Sequence, residues 1–427
     1  MKVNLEEISE VKKKVNIEIP EDQVTKEINL FYEELRKKAK IKGFRPGKVP
    51  RNILERHFKD YVKAEVMEKL IQDTCPKAFS EVTLQPVSPP VVDPKELESG
   101  KPFQYSAIVE VKPDIQMKEY LGLKIEGKKE EVKEEEIEER LKGLQNLHAN
   151  LKTISEGRPI QSGDYVILDY EGRMDGKLLE EGKATDYMVE VGSGRFIPTF
   201  EEKLIGLSPE GEKEIEVSFP EDYGYKKWAG KKISFRVKIK EIKEKLLPPL
   251  DDEFAKDLGN YSSLGELKTQ LKQDIEKEKQ VALSRHLKDQ VVDQLLQSNS
   301  FEVPESLVKE QANVLVSDMK LRLTSQGMNL NSLGVTEEKL LENYQEVAKK
   351  QVQTFLILEK IAGREGITVT DEEVEGRFKE ISERTRQRLD VVKRHYEKNG
   401  LIPEVKAGIL NDKTLNFLLD KANINYL

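Results

Sequence analysis

The sequence predicts a multidomain α+β protein: an α+β domain, then a small antiparallel β-sheet domain with a short helix, then an all-α end. Three observations predict it. Period-two alternation at residues 11–19 and 103–111 brackets a stretch of helical spacing. Residues 163–243 concentrate glycines, aromatics and short alternating runs, whereas from Ser262 to Leu427 apolar residues recur almost throughout at helical spacing. At 427 residues the chain also exceeds one ordinary domain.

In order along the chain, Val11, Val15, Ile17 and Ile19 fall on one side of a strand. Pro20 opens a helix, and Glu21 and Asp22 suit its positive end. Val24, Ile28, Phe31 and Leu35 carry that helix to about residue 40, and Gly43 stops it. Pro50 starts a second helix through Ile53, Leu54, His57 and Phe58, and a further helix is expected over residues 60–80. Phe103, Tyr105, Ala107, Val109 and Val111 alternate as a strand. These elements delimit a first domain at residues 1–112. Residues 113–149 hold a strand-like Leu121, Leu123, Ile125 and an acidic helix striped by Ile137, Leu141 and Leu144. This segment reads as a connecting arm that packs with the C-terminal domain.

The β-rich domain is set at residues 150–245, with strands at 166–170, 187–191, 215–217 and 233–239 and one short helix from Thr199 to Leu204. Pro248-Pro249 opens the last domain, residues 246–427. Its helices run through Leu264 to Leu295, from Pro304 to near Gly327, from Thr336 through Leu358, from a Thr370/Glu373 capping box, and after Pro403. VKEEEIEERLKGL (132–144) echoes VTDEEVEGRFKEI (369–381), through either shared helix-start grammar or two similar arm-like hairpins.

Composition excludes several function classes. Cys75 is the only cysteine, so no intramolecular disulfide forms and no cysteine cluster holds a metal. The four histidines, His57, His148, His286 and His395, are too scattered for a triad or metal site. No cofactor or metal is therefore expected. The first residues lack an apolar signal core, and no apolar run approaches the roughly 20 residues that cross a bilayer. Cytoplasmic location without membrane contact is the expectation. The net charge of −8 predicts no general affinity for DNA or RNA, so any nucleic-acid contact must come from a local basic patch.

One such patch exists. From Arg36 to Leu54 there are eight lysines or arginines and no acid: Arg36, Lys37, Lys38, Lys40, Lys42, Arg45, Lys48 and Arg51. At its centre lies GFRPGKVP (43–50), where Gly43 and Gly47 permit a tight loop, Pro46 and Pro50 stiffen it, and Phe44 sits at the tip. A solvated helix end with a structural turn would also use these residues; a docking loop explains the exposed phenylalanine. The motif resembles the ribosome-binding signature Gly-Phe-Arg-x-Gly-Lys-x-Pro of bacterial trigger factors, and every fixed position matches. The resemblance implies an α+β ribosome-binding domain at the N-terminus, with Gly43, Phe44, Arg45, Pro46, Gly47, Lys48 and Pro50 as the docking set. It places the loop beside the exit tunnel of the large ribosomal subunit, against a ribosomal protein and rRNA.

The pieces VILDYEGRMDGKLLEE, VGSGRFIPTFEEKLIGL, FPEDYGY and SFRVKIKEI resemble FKBP-type prolyl isomerases over roughly 80 residues. Taken alone, these aromatics read equally as plain core. The resemblance assigns Tyr170, Leu179, Glu180, Tyr187, Phe196, Ile197, Phe200, Tyr225 and Phe235 to one pocket. Leu179 replaces an aromatic, Glu180 the shorter Asp, and Phe200 stands where small immunophilins carry Trp; Trp228 lies near the pocket edge. Tyr225 is the expected hydrogen-bond donor, and Glu180 is expected to orient neighbours. The helical end reads either as self-packing core (Val314, Leu315, Met319, Leu323) or as the all-α chaperone domain that the family resemblance implies. The implied function is a ribosome-associated chaperone that binds nascent and unfolded chains and isomerises X-Pro bonds, with a homodimer when free. The alternative is a pure holdase whose isomerase domain is a spare grip.

Overall fold

The computed structural model describes residues 1–427 except 42, 43, 45, 46, 155, 156, 175, 195, 209–211, 222, 224–226 and 331–333. It divides into two compact units, one made of Met1–Lys129 and Leu283–Leu427, the other of Glu130–Ala282.

In the first unit, β1 (Lys2–Glu7), β2 (Lys12–Ile19), α1 (Glu21–Lys38), α2 (Arg51–Glu81), β3 (Val91–Pro94) and β4 (Phe103–Glu110) form an α+β layer. The antiparallel sheet runs β1-β2-β4-β3. Val15, Ile17 and Ile19 pair with Ala107, Tyr105 and Phe103, so one alternating face of each central strand is buried together. Val24, Ile28 and Tyr32 of α1 and Leu54, Val62, Val66 and Leu70 of α2 share that core. Burial pushes the Tyr105 phenol up to about 12, and its hydroxyl lies 2.7 Å from that of Thr74.

Where two helices are expected over residues 50–80, the structure has one helix of 31 residues that contains Pro76. No glycine or proline interrupts residues 51–75, and the stripe of Leu54, Val62, Val66, Leu70 and Ala78 runs unbroken over the sheet. That burial, at about 1.5–3 kcal/mol per large side chain, outweighs the roughly 3 kcal/mol cost of an internal proline. The short strand β5 (Lys124–Gly127) follows.

The second unit begins with α3 (Glu134–Leu147), whose Ile137 and Leu141 are buried with Phe254 and Leu267. Its sheet comprises β6 (Asn150–Thr153), β7 (Tyr165–Met174), β8 (Lys177–Glu190), β9 (Glu212–Ser218) and β10 (Lys232–Leu246), with the short helix α4 (Pro198–Leu204) between β8 and β9. The order is β6-β10-β7-β8, with β9 also paired to β10 and all pairings antiparallel. Beyond α5 (Asp252–Leu258), the 35-residue α6 (Leu264–Ser298) gives Leu267, Leu271 and Ile275 to this unit and Leu287, Val291 and Leu295 to the first.

The first unit continues with α7 (Glu305–Ser325), α8 (Glu337–Glu365), α9 (Asp371–Thr385), α10 (Leu389–Lys398), α11 (Ile402–Asp420) and β11 (Asn423–Tyr426), which pairs parallel with β5. Leu356, Ile357, Ile361 and Leu418 join Val291 and Ile125 in its helical core. A polar seam ties this part to the α+β layer. The Glu110 carboxylate accepts from the Ser306 N–H at 2.8 Å, and Lys112 and Lys360 pair with Glu359 and Asp114 at 2.7 and 2.8 Å. The echo between residues 132–144 and 369–381 resolves into one shared device: Glu136 and Glu373 each accept from the N–H of the residue that opens their helix, at 2.9 and 2.8 Å. No helix among the described residues is long and apolar enough to cross a membrane.

In the second unit Asp164 is buried and takes both Arg158 guanidinium nitrogens at 2.7 Å plus the Gln161 N–H at 2.8 Å. The Arg158 bonds hold its carboxyl below the usual range, against the opposing effect of burial. A depressed folded value means that the stabilisation is present above the ordinary Asp value of about 3.9 and is lost as pH falls through the folded value. Asp164→Asn is therefore expected to cost about 2 kcal/mol near neutral pH, measured by thermal unfolding. The gap between variant and wild type should close as the pH is taken below about 4.

Candidate functional site

The basic loop is held at its base rather than along its length. Ala39 and Val49 are buried in the α+β core, and the Ala39 N–H bonds to the Leu35 carbonyl at 2.7 Å. The Gly47 N–H donates across the loop to the Arg36 carbonyl at 3.1 Å. Gly47 has φ +83°, in the left-handed region that favours glycine. Pro50, at φ −65°, caps α2. Between these anchors Phe44 is 39% exposed, its N–H bonded to the Ile41 carbonyl at 3.1 Å, and Lys48 is exposed. Gly43, Arg45 and Pro46 lie outside the described residues, as does Lys42.

Arg51 is committed to structure. Its guanidinium lies 4.0 Å from the Tyr32 ring centroid and bonds to Glu55 at 2.7 Å and Asn29 at 2.9 Å. Sequence reasoning counted it with the free basic residues because linear charge says nothing about partners one helix away.

In the second unit, β7 carries Tyr170, β8 carries Tyr187, the turn before α4 carries Phe196, α4 carries Phe200 and β10 carries Phe235. The five rings form one connected cluster. Tyr170 lies 5.7 Å from Tyr187 and from Phe196, 6.1 Å from Phe200 and 6.0 Å from Phe235. Phe196–Phe200 and Phe200–Phe235 stand at 5.3 and 5.4 Å, close to edge-on. Phe200 and Phe235 are buried as floor; Tyr170 and Phe196 are half-buried, and Tyr187 is 39% exposed at the rim. Burial, followed by the neighbouring Tyr187, raises the Tyr170 phenol above its ordinary value. Gly172 makes room for this wall, since a Cβ there would stand 2.9 Å from Phe235 Cε1.

Ile197 is buried at the start of α4 and Leu179 is half-buried against the same core. Glu180 is exposed on β8. Tyr225 lies outside the described residues. Trp228 packs against the same core and lies 5.4 Å from Phe219, which in turn stacks edgewise on Tyr223 at 4.8 Å.

Sequence reasoning missed Glu201. This carboxylate is buried and accepts from the Gly194 N–H at 2.8 Å, the Phe196 N–H at 2.9 Å and the Ser193 hydroxyl at 3.4 Å. It fixes the turn that aims Phe196 over Phe200. An acid in the first turn of a short helix after a Gly-Ser-Gly run was the available signal. The arrangement offers an apolar cleft with an open rim. Among the described residues no group of histidines, cysteines or acids is placed to hold a metal ion.

Family models match the chain in three stretches: bacterial trigger factor protein at residues 1–144, FKBP-type peptidyl-prolyl cis-trans isomerase at 156–240, and the bacterial trigger factor C-terminus at 263–420. The trigger factor of Geotalea uraniireducens is 39% identical over 426 residues, covering 100% of this chain and 98% of that protein. That of Geotalea daltonii is 40% identical over 425 residues, covering 99% and 98%. A solved structure described as "Promiscuous Substrate Recognition in Folding and Assembly Activities of the Trigger Factor Chaperone" aligns with TM-score 0.52 at 22% identity, over 99% of this chain and 100% of that one, and so shares the fold. With trigger factor models at both ends, an FKBP-type domain between them and full-length relatives near 40% identity, the chain belongs to the bacterial trigger factor family.

Proposed function

We propose that this ribosome-associated chaperone docks near the exit tunnel of the large subunit through Phe44, Arg45 and Lys48, and that its aromatic cleft isomerises X-Pro bonds in the emerging chain. The exposed Phe44, carried on a loop locked at its base by Gly47 and Arg36, is the observation that supports docking most. An apolar ring left in water gains free energy only on meeting a partner, and adjoining cations add a salt-sensitive attraction to rRNA phosphates. Residues 1–112 serve docking, 150–245 catalysis, and 113–149 with 246–427 client holding. On the helical part, Val314 and Leu321 of α7 and Val347 of α8 stay exposed, and Leu323 is buried. Exposed apolar side chains spaced among charges suit weak binding of unfolded chains. The reading includes a cytoplasmic location, a homodimer when the protein is free, and no DNA or membrane partner.

Catalysis needs no proton transfer. Amide resonance sets a barrier of about 18–20 kcal/mol, and the twisted transition state is less dipolar than either planar isomer. A cleft floored by Phe200 and Phe235 and walled by Tyr170 and Phe196 solvates the twisted state better than water does, relative to the planar one. Tyr225 is the proposed donor to the flanking carbonyl. A pure holdase with a spare grip is favoured by one observation: Leu178, Tyr187 and Met188 remain exposed on β8.

Ribosome co-sedimentation tests docking. The Phe44→Ala/Arg45→Ala/Lys48→Ala variant is expected to lose at least about tenfold in affinity, and wild-type binding should weaken steeply with salt. Unchanged pelleting would remove the loop from the account. Proline-limited refolding separates enzyme from holdase. Wild type is expected to accelerate the slow phase at substoichiometric dose, and Tyr187→Ala, an exposed position, to reduce the effect severalfold without loss of stability. Acceleration that requires stoichiometric protein would favour the holdase.

A further inference from the structure

Among the described residues of the last helices some basic side chains are matched to acids, while Lys379, Lys398 and Lys421 have no acidic partner. Arg377 pairs with Asp412 at 2.5 Å, Lys393 with Glu375 at 2.5 Å, Lys406 with Asp371 at 3.0 Å and Lys413 with Glu373 at 2.6 Å. The turn between α9 and α10 gathers three arginines within five residues. Residues 383–388, ERTRQR, are all polar and all exposed. Among the described residues Arg384 and Arg386 have no acidic partner, while Arg388 and Arg394, both largely in solvent, share Asp390 at 3.0 and 2.7 Å.

The backbone adds an independent observation. Helix α9 closes with two hydrogen bonds, Gln387 N–H to the Ser382 carbonyl at 3.1 Å and Arg386 N–H to the Glu383 carbonyl at 3.3 Å. This closure needs a left-handed residue between them, and Arg386 supplies it at φ 54°. Glycine takes the left-handed position after α7, α8 and α10, as Gly327, Gly366 and Gly400, whereas Thr83 takes it after α2 at φ 52°. Arg386, like Thr83, accepts strain that glycine avoids, a cost that a function of its exposed side chain would offset. The residues are arginine although most basic residues of this chain are lysine. The planar guanidinium binds phosphate in a two-pronged geometry that lysine lacks.

Residues 383–388 carry no apolar or aromatic side chain, so an apolar partner surface finds no anchor there, and their cations suit a polyanion. A phosphate backbone needs only cations at its surface. We infer that the α9–α10 turn is a second polyanion contact, in which Arg384, Arg386 and Arg388 bind the phosphate backbone of RNA independently of the loop around Phe44. That the polyanion is RNA rests on the ribosome association of the family; the contact itself is testable on free RNA. In a chain of net charge −8 it must be local and salt-sensitive.

The test is anisotropy of a labelled single-stranded RNA with the full chain carrying Phe44→Ala/Lys48→Ala, so that failure of the loop assignment does not enter the result. Adding Arg384→Gln/Arg386→Gly is expected to weaken RNA binding roughly tenfold and to lower the slope of log affinity against log salt by about 1.4, at about 0.7 per lost single-strand contact. The melting temperature should hold or rise, because glycine suits the left-handed position. Unchanged RNA affinity and slope would overturn the inference and leave a solvated turn. Loss of binding to a labelled polyglutamate with RNA binding intact would overturn it in favour of an acidic protein partner. If the glycine variant melts lower, Arg384→Gln alone decides, with an expected slope change of about 0.7.

Discussion

Phe44 stands in water between two anchored points of the chain, Ala39 and Val49. Ala39 and Val49 are buried in the same core as the sheet, and the Gly47 N–H closes the loop onto the Arg36 carbonyl. The proposed docking function depends on this constraint. A loop free at its base would give up on binding the conformational entropy that a locked loop has already lost on folding. The core that supplies the lock is the register of β2 against β4, which puts Val15, Ile17 and Ile19 opposite Ala107, Tyr105 and Phe103 beneath the two helices that flank the loop.

The aromatic cleft of the second unit follows the same logic with different chemistry. Phe196 is carried on a turn, and a buried carboxylate, Glu201, holds that turn through the Gly194 and Phe196 N–H groups. Phe235 lies at its depth because Gly172 on the neighbouring strand has no Cβ. The half-buried rings of Tyr170 and Phe196 are thus backed by the buried Phe200, so an apolar surface persists without collapsing into the core. This organisation suits the proposed isomerisation, which asks for a preorganised apolar wall rather than a nucleophile or a metal.

Legibility in the sequence tracked how strongly each element is buried. The alternation of β2 and β4, the long apolar stripes of α6 to α8 and the capping box of α9 were plain, because one face of each meets a core. Strands β1, β3, β6 and β11 were not anticipated; all are short or mostly exposed, so they carry little hydrophobic signal. Helix α10 escaped notice because its ten residues bury only Val392. The continuity of α2 was missed because proline was weighed without the stripe that surrounds it. In the sites, the rings at 170, 187, 196, 200 and 235 come together from four separate segments, a convergence that only the family resemblance anticipated. Glu201 and the commitment of Arg51 to Tyr32 were invisible, since both depend on partners that the linear order conceals.

If the loop around Phe44 docks because its base is locked, Gly47→Ala weakens docking. A Cβ at this position meets nothing within 4 Å, so the substitution acts through the backbone at φ +83° alone. Ribosome affinity of this variant, measured by equilibrium binding alongside its unfolding midpoint, is expected to fall severalfold while global stability drops by about 1–2 kcal/mol. Undiminished ribosome affinity would contradict the account.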